Sequence, residues 1–326
     1  MCHACDIIAA ESGIDSIAIH QAVFKSADTN PLTMSGLYRW EKRLNKYFLV
    51  NADPVLVKAR DEFLEKVDRM LGRDTPIEAV EIEIYKEIPK SLGGLGESVI
   101  SSTQKAERIV RDISMEVKKA REKQLAIESG YTDADTAAIS SLIEYNNFWI
   151  REHFGDNITA EVKEIIAREF TKGHERKKIV DALLDRFQNV FGGKNYWETV
   201  AASWSVQTRT LTSLRIMDEA GIDEYIFRNP NDKKTSYICK ELIGRVWKVK
   251  HALDNFNQMM EMDNAEDIKN HSPWISSDKN GLMYFKKDGE YNFINEMTTA
   301  ELGELNILWP PRHGRCRSSI DAVIAN

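Results

Sequence analysis

The sequence predicts a mainly α protein, with helical N-terminal and central regions and a small α+β domain at the C-terminal end that contains a β-hairpin. Three observations predict it. The eight prolines fall in two groups, Pro31 to Pro89 and Pro230 to Pro311, which leaves residues 90–229 without the residue that breaks helices. Within that gap apolar residues recur at helical spacing, punctuated by Gly130, Gly155, Gly173 and Gly192-Gly193. Past Gly221 the pattern changes to short β-prone runs separated by turn residues.

A chain of 326 residues, 42% hydrophobic and 29% charged, can bury an ordinary core, which excludes collagenous, low-complexity and wholly disordered classes. The composition shifts suggest an N-terminal helical region over 1–96, a long amphipathic helix or connector over 97–130, a helical subdomain over 131–194 and a C-terminal domain over 195–326.

Taken in order, helices are predicted from Asp6 to Lys25, Gly36 to Phe48 and Pro54 to Leu71, and Ser91-Leu-Gly-Gly-Leu-Gly96 reads as a flexible joint. Val99, Thr103, Ala106, Val110, Ile113, Val117 and Ala120 then form a heptad stripe. Its opposite faces carry Lys105, Arg108, Arg111, Lys118, Lys119, Arg121 and Lys123, so the helix either packs on its own domain or docks along another subunit's helix. Val162, Ile165, Ile166 and Phe170 line the next helix, with Thr159 placed to cap it, and Ile179, Val180, Leu183, Leu184, Phe187 and Val190 line another. A further helix runs from Lys194 to Ala220, stopped by Gly221. Tyr225-Ile-Phe227 and Val246-Trp-Lys-Val249 are strand candidates. The clearest strand signal is Leu282 to Ile294, where Asp288-Gly289 supplies a type I′ turn that sets Tyr284 opposite Phe293 and Lys287 opposite Glu290. The acidic stretch 254–278 reads as a surface insertion.

A formal charge of −7 gives no general attraction to phosphate backbones, so nucleic-acid binding would need a local basic patch. No apolar run is long enough to span a membrane and no signal peptide opens the chain, so a cytoplasmic protein without membrane contact is expected. Four cysteines, at 2, 5, 239 and 316, are too few for a disulfide framework, and reduced thiols are expected. Cys2-His-Ala-Cys5 has no second half nearby and reads as incidental. His174-Glu175 lacks the second histidine of a zinc protease, Gly192-Gly193-Lys194 lacks Walker A spacing, and no Gly-x-Ser-x-Gly elbow occurs. A non-enzymatic protein is the expectation. An enzyme of transferase type, with a site that no motif reveals, is the third alternative behind a DNA-binding protein.

The informative residues lie in two separated segments. Asp232-Lys-Lys-Thr-Ser-Tyr-Ile-Cys239-Lys-Glu-Leu-Ile-Gly244 precedes Trp309-Pro-Pro-Arg-His313-Gly-Arg-Cys316-Arg317-Ser-Ser by some seventy residues. With Ala220-Gly-Ile-Asp-Glu-Tyr225, they resemble the C-terminal domain of the phage Mu F-like minor head protein family, the phage head morphogenesis proteins. Asp232, Thr235, Cys239, Leu242 and Gly244 match the first segment of the family pattern, and Pro310, Pro311, His313, Cys316 and Arg317 the second. Ser236 and Ser318 stand where the family has its first and last cysteines.

The resemblance implies a phage minor head protein, made in the host cytoplasm and carried in the virion. It would act in head morphogenesis through contacts with portal, scaffold or major capsid protein, with packaged DNA as a further partner. The N-terminal helices, especially Val99 to Ala120, are the expected recruiting contact and residues 195–326 the compact module. A structural zinc wants four N or S donors; Cys239, His313 and Cys316 supply three, with His251 or His271 as a fourth. The other reading, and the expected one, is a cofactor-free knot of buried thiols in which Ser236 and Ser318 hydrogen-bond. Pro310-Pro311 would present Arg312, Arg315 and Arg317 on a rigid loop, the candidates for contact with DNA or an acidic partner, unless Arg317 instead holds the fold through a carboxylate such as Asp232.

Overall fold

The structure is a computed structural model that describes residues 29–72, 76–172, 193–230 and 232–324, with isolated positions between 178 and 187. The helix predicted from Asp6 to Lys25, the Cys2–Cys5 pair, Ile179, Val190 and His174-Glu175 lie outside them.

The fold is mainly helical, with small antiparallel sheets in the C-terminal third. Helices α1 (Met34–Asn51) and α2 (Asp53–Leu71) meet at Ala52, with Thr33 capping the first and Pro54 seated in the first turn of the second. α3 (Ile77–Leu92) and α4 (Leu95–Thr103) follow, joined only by Gly93-Gly94. The predicted flexible joint is thus a tight corner: Leu92, Leu95 and Gly96 are buried, and a Cβ on Gly96 would sit 3.1 Å from the Arg151 Cα.

The heptad stripe does not lie on one helix. It breaks at Gln104-Lys105 into α4 and α5 (Ala106–Leu125), and its apolar residues from Val99 to Val117 are buried within the chain. Spacing alone cannot see such a break, because a turn of matching length keeps Val99 and Thr103 in phase with Ala106 and Val110. The stripe is therefore spent inside the chain, which corrects the alternative that it docks along another subunit's helix. Lys118 and Arg121, expected on a solvated face, are each 1% exposed.

Their partner surface is α8 (Lys194–Glu219), the helix against which α1, α5 and α6 (Asp133–Glu152) pack. Its middle buries Ser205, Gln207, Thr208, Arg209, Thr210, Thr212 and Ser213 along with its apolar residues. A helix covered on every side loses the amphipathic signature, and this one offers hydroxyls to its neighbours. Ser114 Oγ meets Thr212 Oγ1 at 2.9 Å, and Arg121 Nε donates to Ser213 Oγ at 3.1 Å.

α6 begins with a capping box between Thr132 and Asp135 and passes through a π-helical turn, His153–Asn157, into α7 (Ile158–Thr171). The backbone kinks at Gly155, where the sequence placed its punctuation. Thr159 lies inside the helix rather than capping it, because the π turn supplies a continuous entry.

In the C-terminal third, β1 (Glu224–Arg228) is the centre of a three-stranded antiparallel sheet. It pairs with β2 (Val246–Lys248) on one side and with β6 (Ser319–Ala322) on the other, setting Tyr225 opposite Trp247 and Phe227 opposite Ile320. α9 (Tyr237–Leu242) links β1 to β2. Gly244, at φ 80°, makes the turn and donates to the Phe227 carbonyl at 2.9 Å.

α10 (Val249–Glu261), α11 (Ala265–His271) and β3 (Ser276–Ser277) occupy the acidic stretch, which is therefore not a surface insertion. Phe256, Met259, Ile268 and Ile275 bury its inner face while its carboxylates remain outside. β4 (Met283–Lys287) and β5 (Glu290–Phe293) form the predicted hairpin in the predicted register, with Asp288 and Gly289 at positive φ. A short α12 (Thr299–Glu304), with a Thr298–Glu301 capping box, leads to the second motif segment.

Candidate functional site

The two motif segments close on each other. Ser236 caps α9 by accepting from the Cys239 amide at 3.1 Å, which places Cys239 on the helix's first turn facing the loop before β6. There Cys239 Sγ lies 3.7 Å from Cys316 Sγ and 3.0 Å from His313 Nε2. Ser318 Oγ donates to Cys239 Sγ at 3.1 Å, and Ser236 Oγ lies 3.0 Å from His313 Nε2. His313 Nδ1 donates to the Gly314 carbonyl at 2.8 Å, which fixes the ring and turns Nε2 toward the sulfurs.

The thiols are buried and their protons are linked. Cys316 is pulled well below the usual thiol range, first by the hydrogen bond from Cys239 and then by His313 and the Ser318 amide, against burial. Cys239 moves the other way, raised by the same hydrogen bond and by burial. The pair thus favours a thiol beside a thiolate.

Around this knot lies a second lock. Arg317 grips both oxygens of Asp232, at 2.8 and 2.5 Å, and holds that carboxyl down to about 2. Asp232 also accepts from the Lys234 amide at 2.9 Å and from Thr235 Oγ1 at 3.2 Å. Of the motif residues, Leu242 is the buried last residue of α9 and Gly244 makes its exit turn, while Pro310-Pro311 is joined by a cis peptide bond.

The basic loop is not a basic surface. Arg312 is 1% exposed, lies 4.5 Å over the Trp309 ring, and donates to the Trp309 carbonyl at 2.7 Å and to Ser272 Oγ at 2.9 Å. Trp309 in turn stacks on Phe256 at 3.9 Å and donates to Asn255 at 2.7 Å. This corrects the expectation that Arg312 contacts DNA or a partner: the proline pair turns it inward, onto an aromatic stack that the sequence did not connect to it. Arg315 pairs with Glu198 at 2.9 Å, and Arg317 is committed to Asp232.

Among the described residues, Cys239, His313 and Cys316 are the group able to hold a metal ion, their donor atoms all within 4.8 Å of one another. Neither His251 nor His271 joins them; His251 is exposed and His271 Nε2 meets Asn255 Nδ2 at 2.9 Å. The donors fit zinc in kind, and the two sulfurs fit it in spacing. Two sulfurs on one tetrahedral ion, each about 2.3 Å from it, sit roughly 3.8 Å apart. A histidine anchored through its far nitrogen to a carbonyl is the usual supporting contact. A recess of about 20 Å³, lined by Ser236, Cys239, His313, Arg317 and Ser318, adjoins the three donors, enough for one water as a fourth ligand.

No family model, curated protein or solved structure matches the chain. Among the described residues, no helix is long and apolar enough to cross a membrane.

Proposed function

We propose that the chain is a minor head protein of a tailed phage, acting in head morphogenesis through contacts with portal, scaffold or major capsid protein rather than by turnover. The observation that carries this reading is the meeting of the two motif segments in one knot. The residues that resemble the phage Mu F-like family, Asp232, Cys239, His313, Cys316 and Arg317, are separated by some seventy residues and yet touch. A chance likeness between two stretches of sequence carries no reason for their side chains to converge.

The knot is a fastening for the module. A zinc ion there would be held by Cys239, His313 and Cys316 and would act as a structural tie between α9 and the approach to β6. DNA contact through the 312–317 loop has lost its support, since each of its three arginines is buried or paired within the chain. The recruiting surface also moves: with the 99–120 stripe inside the body, exposed side chains of the body or of the module must make the contact.

Particle association tests the reading. The chain is expressed with the portal, scaffold and major capsid proteins of its own phage, and procapsids are isolated by sedimentation. Sedimentation of the chain with particles, retained through washing, is expected. A chain left wholly in the soluble fraction, with particles assembling unchanged in number and shape without it, overturns the proposal.

A further inference from the structure

A cleft of about 700 Å³ lies between α6, α8 and the β4–β5 side of the module, within the size range of small-molecule sites. Its walls are aromatic. Trp149, His153 and Tyr196 line the body side, with the His153 ring stacked on Tyr196 at 4.6 Å, and Trp274, Tyr284 and Tyr291 line the module side. Trp274 is 47% exposed and Tyr291 65% exposed, so stacking faces are available at the mouth.

Two amides in the lining carry the chemical signal. Asn146 and Gln207 are each 4% exposed, yet Asn146 Nδ2 and Gln207 Oε1 have no hydrogen-bond partner. A buried polar atom left unmatched is costly, and a ligand that supplies its complement recovers that cost. Both atoms are closed to solvent in this structure, so a ligand reaches them as the two amides turn toward the cleft, and one donor and one acceptor then ask for a ligand bearing one acceptor and one donor. A third observation concerns charge: no carboxylate lines the cleft among the described residues, whereas Lys269 and Lys286 do. Lys286 is exposed, stands opposite Tyr291 in the hairpin and pairs with no described carboxylate.

We propose that this cleft binds a nucleobase carrying a phosphate. The base stacks against the aromatic walls, its donor–acceptor edge meets Asn146 and Gln207, and the phosphate lies at Lys286. Free nucleotide and single-stranded nucleic acid share this chemistry. The proposal does not depend on the head-protein reading, and neither stands or falls with the other.

Tryptophan fluorescence of the full chain, titrated with each ribonucleoside monophosphate and with short single-stranded homo-oligonucleotides, tests it. Saturable quenching is expected, with a dissociation constant below about 1 mM for a mononucleotide or for an oligonucleotide of the same base. Saturation by mononucleotide identifies the free ligand, and saturation by oligonucleotide alone identifies the strand. Asn146→Leu with Gln207→Leu should weaken binding about tenfold or more. If that pair disturbs folding, the exposed changes Lys286→Ala and Tyr291→Ala decide, each weakening binding, the former with a shallower salt dependence. Quenching unaltered by both exposed changes, equal affinity for the bare nucleoside, or saturation by an acidic aromatic peptide with no response to any nucleotide overturns the assignment.

Discussion

The helical body and the C-terminal module differ in what holds them. In the body, Leu44, Phe48, Phe63, Val67, Ile84, Ile88, Val110 and Ile113 are fully covered by one another along regular helices, so no single contact defines the arrangement. In the module the elements are short, and point contacts of particular chemistry carry the closure: Cys239 with Cys316 and His313, Arg317 with Asp232, and Arg312 on Trp309. Apolar packing tolerates substitution by volume, whereas these contacts tolerate it only by kind. The seam between α5, α6 and α8 breaks the simple division, because there the body too depends on buried charge.

That seam gives the largest expected effect. Lys118 Nζ meets Asp135 at 2.7 Å, with both side chains almost wholly covered, and Arg215 reaches the same carboxylate at 3.2 Å. Lys118→Met leaves Asp135 with one cation and should cost about 3–5 kcal/mol in urea unfolding, nearer the lower figure because Arg215 remains. A loss under about 1 kcal/mol would make the body purely apolar in its energetics and restore the simple contrast.

At the boundary between the two regions, burial holds His153 down to about 4, against an ordinary value of 6.5. Above pH 6.5 the ring is neutral in folded and unfolded chains alike and contributes nothing. As pH falls from 6.5 to 4, the unfolded chain takes up a proton that the folded one refuses, and stability should drop by about 3 kcal/mol. His153→Phe should flatten that part of the stability–pH curve; an unchanged slope would assign the loss to other groups.

The module's prediction is somewhat smaller. Against the metal-free knot expected from the sequence, the three converging donors lead us to propose that protein purified without an affinity tag carries zinc stoichiometrically and that Cys316→Ser abolishes it. Chelation should lower stability by about 2.7 kcal/mol relative to free zinc at a hundredfold excess over its dissociation constant. Elemental analysis that finds no metal would leave the thiol pair, the serines and the Arg317 fork as the whole of the fastening.

What the sequence revealed follows the same contrast. Helices expected over 36–48 and 54–71 are present as 34–51 and 53–71, because apolar spacing reports a helix that packs on one side. The hairpin was legible to the residue pair, since Asp288-Gly289 dictates its own geometry. The meeting of the Cys239 and Cys316 segments was legible only through family likeness. Lys118 and Arg121 were misread as solvated because their partners are remote: Arg121 is separated by 92 positions from Ser213 and by 200 from Asp321. The same limit hid Arg312, whose partner Ser272 lies 40 positions back. Asn146, Gln207 and the aromatic cleft left no periodic trace, because their side chains come from three helices, a π turn, a loop and a hairpin.

Arg121 in α5 and Arg209 in α8 each spend donors on the backbone of β6 and its approach: Arg121 on the Ile320 carbonyl, and Arg209 on that of Ser318 at 2.5 Å. Arg121 also has the nearer oxygens of Gln124 and Ser213, but the rest of what these two cations meet arrives with the last strand described. The seam between the helices is therefore completed from the far end of the chain, and β6 closes the helical body as much as it closes its own sheet.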